Sequence, residues 1–372
     1  MCVHLAEGQL TIAHVPSRFL KNNKALKRQG VLLPIISVVL GLGLLIVDPL
    51  PMQTLRNNVF DQYQRWYPRP YVEVPVRIVD IDEETLARLG QWPWPRTRLA
   101  ELVENLKTAG AATIGFDVLL AEADRTSPKT MAKLWQLSGA ARKALDGLPD
   151  HDLVLANRFE GAGVGLGFVL QRGAPGSGVS GAPDGDEAPG LAHRPFRYIS
   201  SGQNPTSHLH AFDSVIPTRP ELEAAALGNG ALNFVADSDG IVRRVPMVFS
   251  LSGNPVPGIA AESLRVAQGE RNYFLKAMPQ GYGLSEVRIG AYKIPTTAEG
   301  EVWVHYSISV ANRYLPAWKV LAGEVPDALL AGHIVFIGSS AQGLMDLRFT
   351  PLGGVMPGVE AHAQVVEQIL SG

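Results

Sequence analysis

The sequence predicts an α/β fold: an N-terminal transmembrane helix, then a layered extracytoplasmic domain whose sheet is mixed and partly parallel, with antiparallel additions. Three observations carry the prediction. An apolar run follows a basic leader, apolar strands alternate with helix-period segments from residue 76 onward, and turns centred on glycine send strands back antiparallel.

The 372 residues suit two or three domains, or one large domain with appendages. With 46% hydrophobic and 18% charged residues the chain can build a packed core, which excludes a disordered polymer. The 33 Lys and Arg against 35 Asp and Glu give a formal charge of −2, so no chain-wide basic field exists and no nucleic-acid partner is expected. Cys2 is the only cysteine, which rules out internal disulfides, cysteine-rich metal sites and a CxxC redox centre.

Val31 to Val47 reads VLLPIISVVLGLGLLIV, and at about 1.5 Å per residue this run approaches the thickness of a bilayer core. Pro34 falls in its first turn, where a missing amide hydrogen does little harm, and Asp48-Pro49-Leu50-Pro51 ends it. Arg18, Lys21, Lys24, Lys27 and Arg28 stand upstream against the single acid Glu7, a bias retained on the cytoplasmic side. The expected organisation is a cytoplasmic tail over 1–30, a membrane helix over 31–51 and an extracytoplasmic domain over 52–372. A cleaved signal peptide fits less well, because no small-x-small site follows the run. Ala328 to Met345 also lacks charge, but its glycines and polar residues leave only Ile334 to Ile337 apolar, so it reads as a buried strand and tight loop.

Leu55, Val59, Tyr63 and Trp66 recur at helical spacing and mark an amphipathic helix that Pro68 and Pro70 stop. Val76 to Asp82 is a strand, Arg98 to Ala109 a helix with Leu99, Leu102, Val103 and Leu106 inward, and Ala112 to Val118 a second strand. Such a βαβ unit makes the two strands parallel neighbours. Helix-prone sequence from Lys129 to Leu145 leads to strands at Leu153 to Ala156 and Val164 to Leu170. Residues 173–190 hold six Gly and three Pro in eighteen positions and read as a flexible insertion. A strand at Ala231 to Val235, the turn Asp237-Ser-Asp-Gly240 and an antiparallel return from Ile241 to Ser250 follow. Then come a helix over Ile259 to Gln268, a hairpin around Gly290 (Glu286 to Ile289 with Tyr292 to Pro295), strands at Val302 to Tyr306 and 334–337, and a helix from Val359 to Leu370.

Asp80, Asp82 and Asp117 fall at or just beyond two strand ends, where an open α/β sheet holds its ligands, and could hold a cation or an amine. The structural alternative is that Asp82 caps a helix starting at Glu83 and Asp117 orders a loop. The Asp-x-Asp pair also invites an aspartyl-phosphate reading, but Glu84 stands where that motif needs Thr or Val. Trp92 and Trp94 in a proline-stiffened loop offer faces for stacking and Arg96 a partner for a carboxylate; the alternative is a plug over the core. Asp237, Asp239, Arg243 and Arg244 either offer one arginine to an anion or neutralise their own turn. There is no GxxxxGK[ST], GxGxxG, HExxH or GxSxG, and the nine histidines show no metal spacing, so no catalytic or metal site and no cofactor is expected.

Several stretches together resemble the extracellular sensory domain called CHASE, in its second type. They are Ile78 to Asp82, Gly90-Gln-Trp-Pro-Trp-Pro-Arg96, Ile114 to Val118, Asp237 to Pro246, Ile334 to Ser340 and Pro357 to His362, running in order from about residue 55 to 372. The resemblance implies one membrane helix before the domain, an unnamed small-molecule or envelope signal, a homodimer, and an adenylate or guanylate cyclase or histidine kinase output outside this chain. The insertion at 173–190 departs from the compact family pattern. The expected function is therefore a receptor input module; the competing expectations are a metal-dependent envelope hydrolase built on Asp80, Asp82 and Asp117, and a dimerisation module without a ligand.

Overall fold

A computed structural model describes residues 34–43, 49–173, 197–203, 205–344 and 346–372. These divide into two units, one ending at Phe60 and one running from Asp61 to Gly372. In the first, residues 34–43 are helical. Among the described residues no helix is long and apolar enough to cross a membrane. The expected cytoplasmic tail, residues 31–33 and 44–48 of the expected anchor, and the expected insertion after Gly173 lie outside the described residues.

The larger unit is built on a sheet of six parallel strands: β1 (Val76–Asp80), β2 (Thr113–Leu119), β3 (Val164–Gln171), β5 (Gly228–Ala231), β6 (Tyr314–Pro316) and β7 (Ile334–Gly338). Their spatial order is β6-β1-β7-β2-β3-β5, and β4 (Ser214–Ile216) joins β3 antiparallel. β1 and β2 are thus parallel members of one sheet but not neighbours, which corrects the expected pairing. The apolar strand Ile334-Val-Phe-Ile-Gly338 lies between them, with Ile78 opposite Phe336 and Phe336 opposite Gly115. A strand buried on both faces belongs at the centre of a parallel sheet, and β7 is buried at every position.

Period-two alternation feeds two cores. Val79, Ile81, Ile114, Val335 and Ile337 pack with Leu99, Leu102, Val103 and Leu106 of α3 (Arg96–Thr108) and Leu155 of α4 (His151–Arg158). Val76, Ile78, Ile334 and Phe336 face Ile259, Ala260 and Leu264 of α5 (Ile259–Ala267) and Val359, Ala363 and Val366 of α6 (Gly358–Ser371). Helices therefore cover both faces. A Cβ on Gly338 would sit 2.5 Å from Val359 Cβ, so glycine is what lets α6 approach the end of β7 so closely.

The hairpin around Gly290 forms with the expected register, Ile289 opposite Tyr292, inside a four-stranded sheet with Asn272–Ala277 and Arg197–Ser201. Other expectations are corrected. Leu153 to Ala156 is helical within α4, not a strand. Lys129 to Leu145 is two helices, Pro128–Leu134 and Gly139–Asp146, broken where Gln136 and Gly139 take positive φ. The turn at Asp237 closes, with Gly240 N donating to Asp237 O at 2.8 Å, but the returning chain does not pair with 231–235. Arg244–Pro246 pairs with Glu301–Trp303, and Val248–Leu251 with Asn254–Pro257.

The amphipathic helix forms as α1 (Leu50–Trp66), inverted relative to its apolar face. Leu55, Val59, Tyr63 and Trp66 are exposed, and the residues it buries are Asp61 and Gln64. Gln64 Nε2 donates to Val304 O at 2.7 Å and its Oε1 accepts from Tyr306 N at 3.0 Å. Polar burial wins there because each group finds a partner across the chain.

Candidate functional site

The C-terminal ends of β2, β3, β5 and β7 converge on a cavity of about 630 Å3, the place where an open parallel sheet offers room between diverging connections. Its walls include Trp92, Asp117, Leu119, Phe234, Asp346 and Arg348. Asp117, near the end of β2, is nine-tenths buried, and its Oδ2 lies 3.0 Å from Nδ1 of His362 on α6. A carboxylate only accepts, so Nδ1 carries the hydrogen. The His362 ring stacks on Phe234 with centroids 4.2 Å apart and planes at 17°, and the Arg348 guanidinium lies 5.0 Å from the same phenyl centroid. Arg348 in turn holds Asp346 at 2.6 Å. Burial, with the Asp117 charge, pushes the Asp346 carboxyl up, against the opposing pull of Arg348 and His362. The Asp346 carboxylate rests against the start of α6, where a Cβ on Gly358 would sit 2.4 Å from Asp346 Oδ2.

Trp92 separates this cavity from a second one of about 410 Å3 that it shares with Trp94, Arg96 and Glu122 to Thr126. The Trp92–Pro93 bond is cis. The two indoles meet edge to face at 5.5 Å, but their environments differ: Trp94 is buried and donates from Nε1 to Gly90 O at 2.9 Å, whereas Trp92 keeps part of its surface open. Trp94 is thus the plug over the core. Arg96 is buried at the start of α3, pairs with Asp152 at 3.2 Å and donates to Glu122 O at 3.0 Å. Asp124 accepts from Arg96 N at 2.7 Å and from Thr126; burial alone would raise its carboxyl, yet these bonds hold it below the ordinary range.

Asp80 and Asp82 do not join Asp117. Asp80 ends β1, and its two oxygens accept from Ser340 N at 2.8 Å and Ser340 Oγ at 2.6 Å across the β1–β7 edge. Burial, reinforced by Asp82 and Glu360, outweighs these bonds and pushes its carboxyl up to about 6. Asp82 caps α2 (Glu83–Leu89), accepting from Thr85 N at 2.7 Å. Among the described residues no group of three or more His, Cys, Asp and Glu side chains could hold a metal ion.

The Asp237 turn is elsewhere and closed on itself. Arg243, fully buried, binds Asp61 of α1 through Nε at 2.7 Å and Nη2 at 2.8 Å, Asp237 at 2.7 Å and Asp239 at 2.7 Å. Its bonds hold the Asp239 carboxyl below the ordinary range. Arg244 pairs with Asp237 and, at 2.8 Å, with Glu301. All four of these candidate residues are engaged by the protein itself.

Sequence reasoning missed the residues that connect these places. Arg313 is buried between Glu360 and Glu367 of α6, with Glu367 also 2.9 Å from Arg69 just beyond α1. Gln368 donates to Trp303 O at 3.0 Å and accepts from His305 N at 2.8 Å, and Gln364 accepts from Ser307 N at 2.7 Å. The extended segment 303–307 is thus gripped by glutamines of α6 and by Gln64 of α1. Periodicity carries no signal for such bonds.

The geometry defines an α/β domain with a cavity at the C-terminal edge of its parallel sheet. The CHASE2 domain model matches residues 35–372, and the chain belongs to the CHASE2 domain family. This is a family of extracellular sensory domains of signalling receptors. No curated protein and no solved structure matches the chain.

Proposed function

We propose that the chain is the membrane-anchored, extracytoplasmic input module of a bacterial receptor. In this reading, occupancy of the cavity at the C-terminal sheet edge biases the arrangement of α1 and α6, and through membrane helices regulates a cyclase or histidine kinase output in a homodimer. The apolar run after a basic leader supports the anchor and its orientation.

The observation that carries the reading is the Asp117–His362 contact. His362 sits on the same helix as Glu367 and Gln368, so the helix that the wall residue Asp117 contacts also carries the grip on Arg69 and segment 303–307. A ligand shifts such an equilibrium only by its difference in affinity for the two arrangements. Fusing the chain to a heterologous kinase tests this. His362→Ala is expected to uncouple output from the signal while the domain stays folded. Identical output with and without residues 52–372 refutes the reading, as does protection of that region from protease added to spheroplasts.

A further inference from the structure

We propose that the cavity binds a small organic ammonium ion, a protonated amine with an apolar or aromatic body. This rests on the cavity being the sensory site and names the chemistry that site selects.

The polar walls sort by what they still lack. The Ser339 hydroxyl donates to Ile81 O and accepts from Ala341 N, and Asn233 is spent on Leu170 N and O. The Arg348 cation already holds Asp346. What remains is acceptor capacity: Asp117 uses Oδ2 on His362 and Asp346 uses Oδ1 on Arg348, and among the described residues neither second oxygen has a hydrogen-bond partner. Asp117 is nine-tenths buried and lines the cavity. Among the charged side chains of the lining, two carboxylates, Asp117 and Asp346, face one guanidinium, Arg348. An anion would meet both carboxylates, and the one guanidinium of the lining is already held by Asp346. A metal ion lacks its ligand set, since no group of three suitable side chains is present among the described residues. An ammonium group supplies what is missing, a positive charge and several N–H donors aimed at carboxylate oxygens. Trp92 and Phe349 furnish aromatic faces for the cation and its apolar body, and about 630 Å3 is the size of a small-molecule pocket.

Thermal unfolding of the full chain in detergent, titrated with methylamine, phenethylamine and tryptamine, and with the matching alcohols and carboxylates, tests the assignment. Binding to the folded state alone must raise the midpoint. At least one amine is expected to raise it saturably while its alcohol and carboxylate do not. Asp117→Asn, which keeps the shape and removes the charge, is expected to weaken that amine by about tenfold or more. Asp80→Asn, outside the cavity walls, is expected to leave the titration unchanged. No response to any amine, or an unaltered response in Asp117→Asn, overturns the proposal. Stabilisation by an alcohol or carboxylate that the cavity-filling Ala236→Phe abolishes also overturns it, yet leaves the cavity as the sensory site. A kinase fusion whose output ignores Ala236→Phe instead refutes the sensory reading itself.

Discussion

Two regions of the larger unit use the same side chains to opposite ends. Around Arg243 three aspartates surround one guanidinium, and its donors are spent on Asp61, Asp237 and Asp239. At the sheet edge Asp117 and Asp346 each give one oxygen to His362 or Arg348, and both line the cavity. The first arrangement is closed: Arg243 and Asp61 are buried against each other, and Asp237 and the more exposed Asp239 complete the set. The second is open, and an open arrangement of buried acceptors is where a protein has left binding capacity unspent. Composition alone cannot separate the two; what differs is how many partners each group has found.

The largest expected effect lies in the closed region. Arg243→Ala strands Asp61 in a dry site while Asp237 keeps Arg244, and breaking a buried pair by removing one partner costs about 3–5 kcal/mol. Urea denaturation of the full chain reads this directly, with Arg313→Ala expected to match it through Glu360 and Glu367. A loss below about 1 kcal/mol in Arg243→Ala would place the network in the class of weak surface pairs and erase the contrast.

The tryptophans sharpen the same contrast within five residues. Trp94→Ala removes a core side chain and its bond to Gly90 O, for an expected cost of about 3–5 kcal/mol. Trp92→Ala takes away a half-open cavity wall and is expected to cost about 1 kcal/mol while degrading ligand response. Equal losses in the two variants would make Trp92 part of the plug.

Asp80 gives a pH-dependent effect of intermediate size. Its carboxyl is raised from an ordinary 3.8 to about 6, so the folded state binds the proton more tightly than the unfolded chain. The stabilisation from that proton is complete below about pH 4 and is lost as pH rises through 6. At about 1.4 kcal/mol per unit the fall amounts to roughly 3 kcal/mol. Asp80→Asn, whose amide still bonds Ser340, is expected to flatten this part of the pH–stability curve. A curve of unchanged slope in the variant would assign the dependence to other groups.

What the sequence made legible was local. β1, β2, β7 and α3 follow from period-two and period-3.6 patterns within a dozen residues, and the Asp82 cap from one acid before Glu83. Pairing order was not legible, because β7 enters between β1 and β2 after more than two hundred intervening residues. The run Leu153-Val-Leu-Ala156 was ambiguous between strand and helix, and the decision falls to packing of α4 on α3. Asp61, the distant partner of Arg243, lies 182 residues away and His362, the partner of Asp117, 245 residues away. At that separation the same Asp and Arg letters spell either a saturated clamp or an open site.

The smallest expected effect is the one that discriminates most. Asp117→Asn preserves volume, and its side-chain oxygen still accepts from His362 Nδ1, so the fold loses only the charge-assisted share of one hydrogen bond, about 1 kcal/mol. The same change removes the carboxylate charge that the ammonium proposal requires. If the cavity is a binding site, ligand response collapses while the denaturation midpoint hardly moves. If Asp117 is instead another clamp like Asp61, the order reverses: stability drops by several kcal/mol, and any loss of response merely follows the loss of folded protein. Measuring midpoint and response on one preparation therefore decides which kind of aspartate stands at the end of β2.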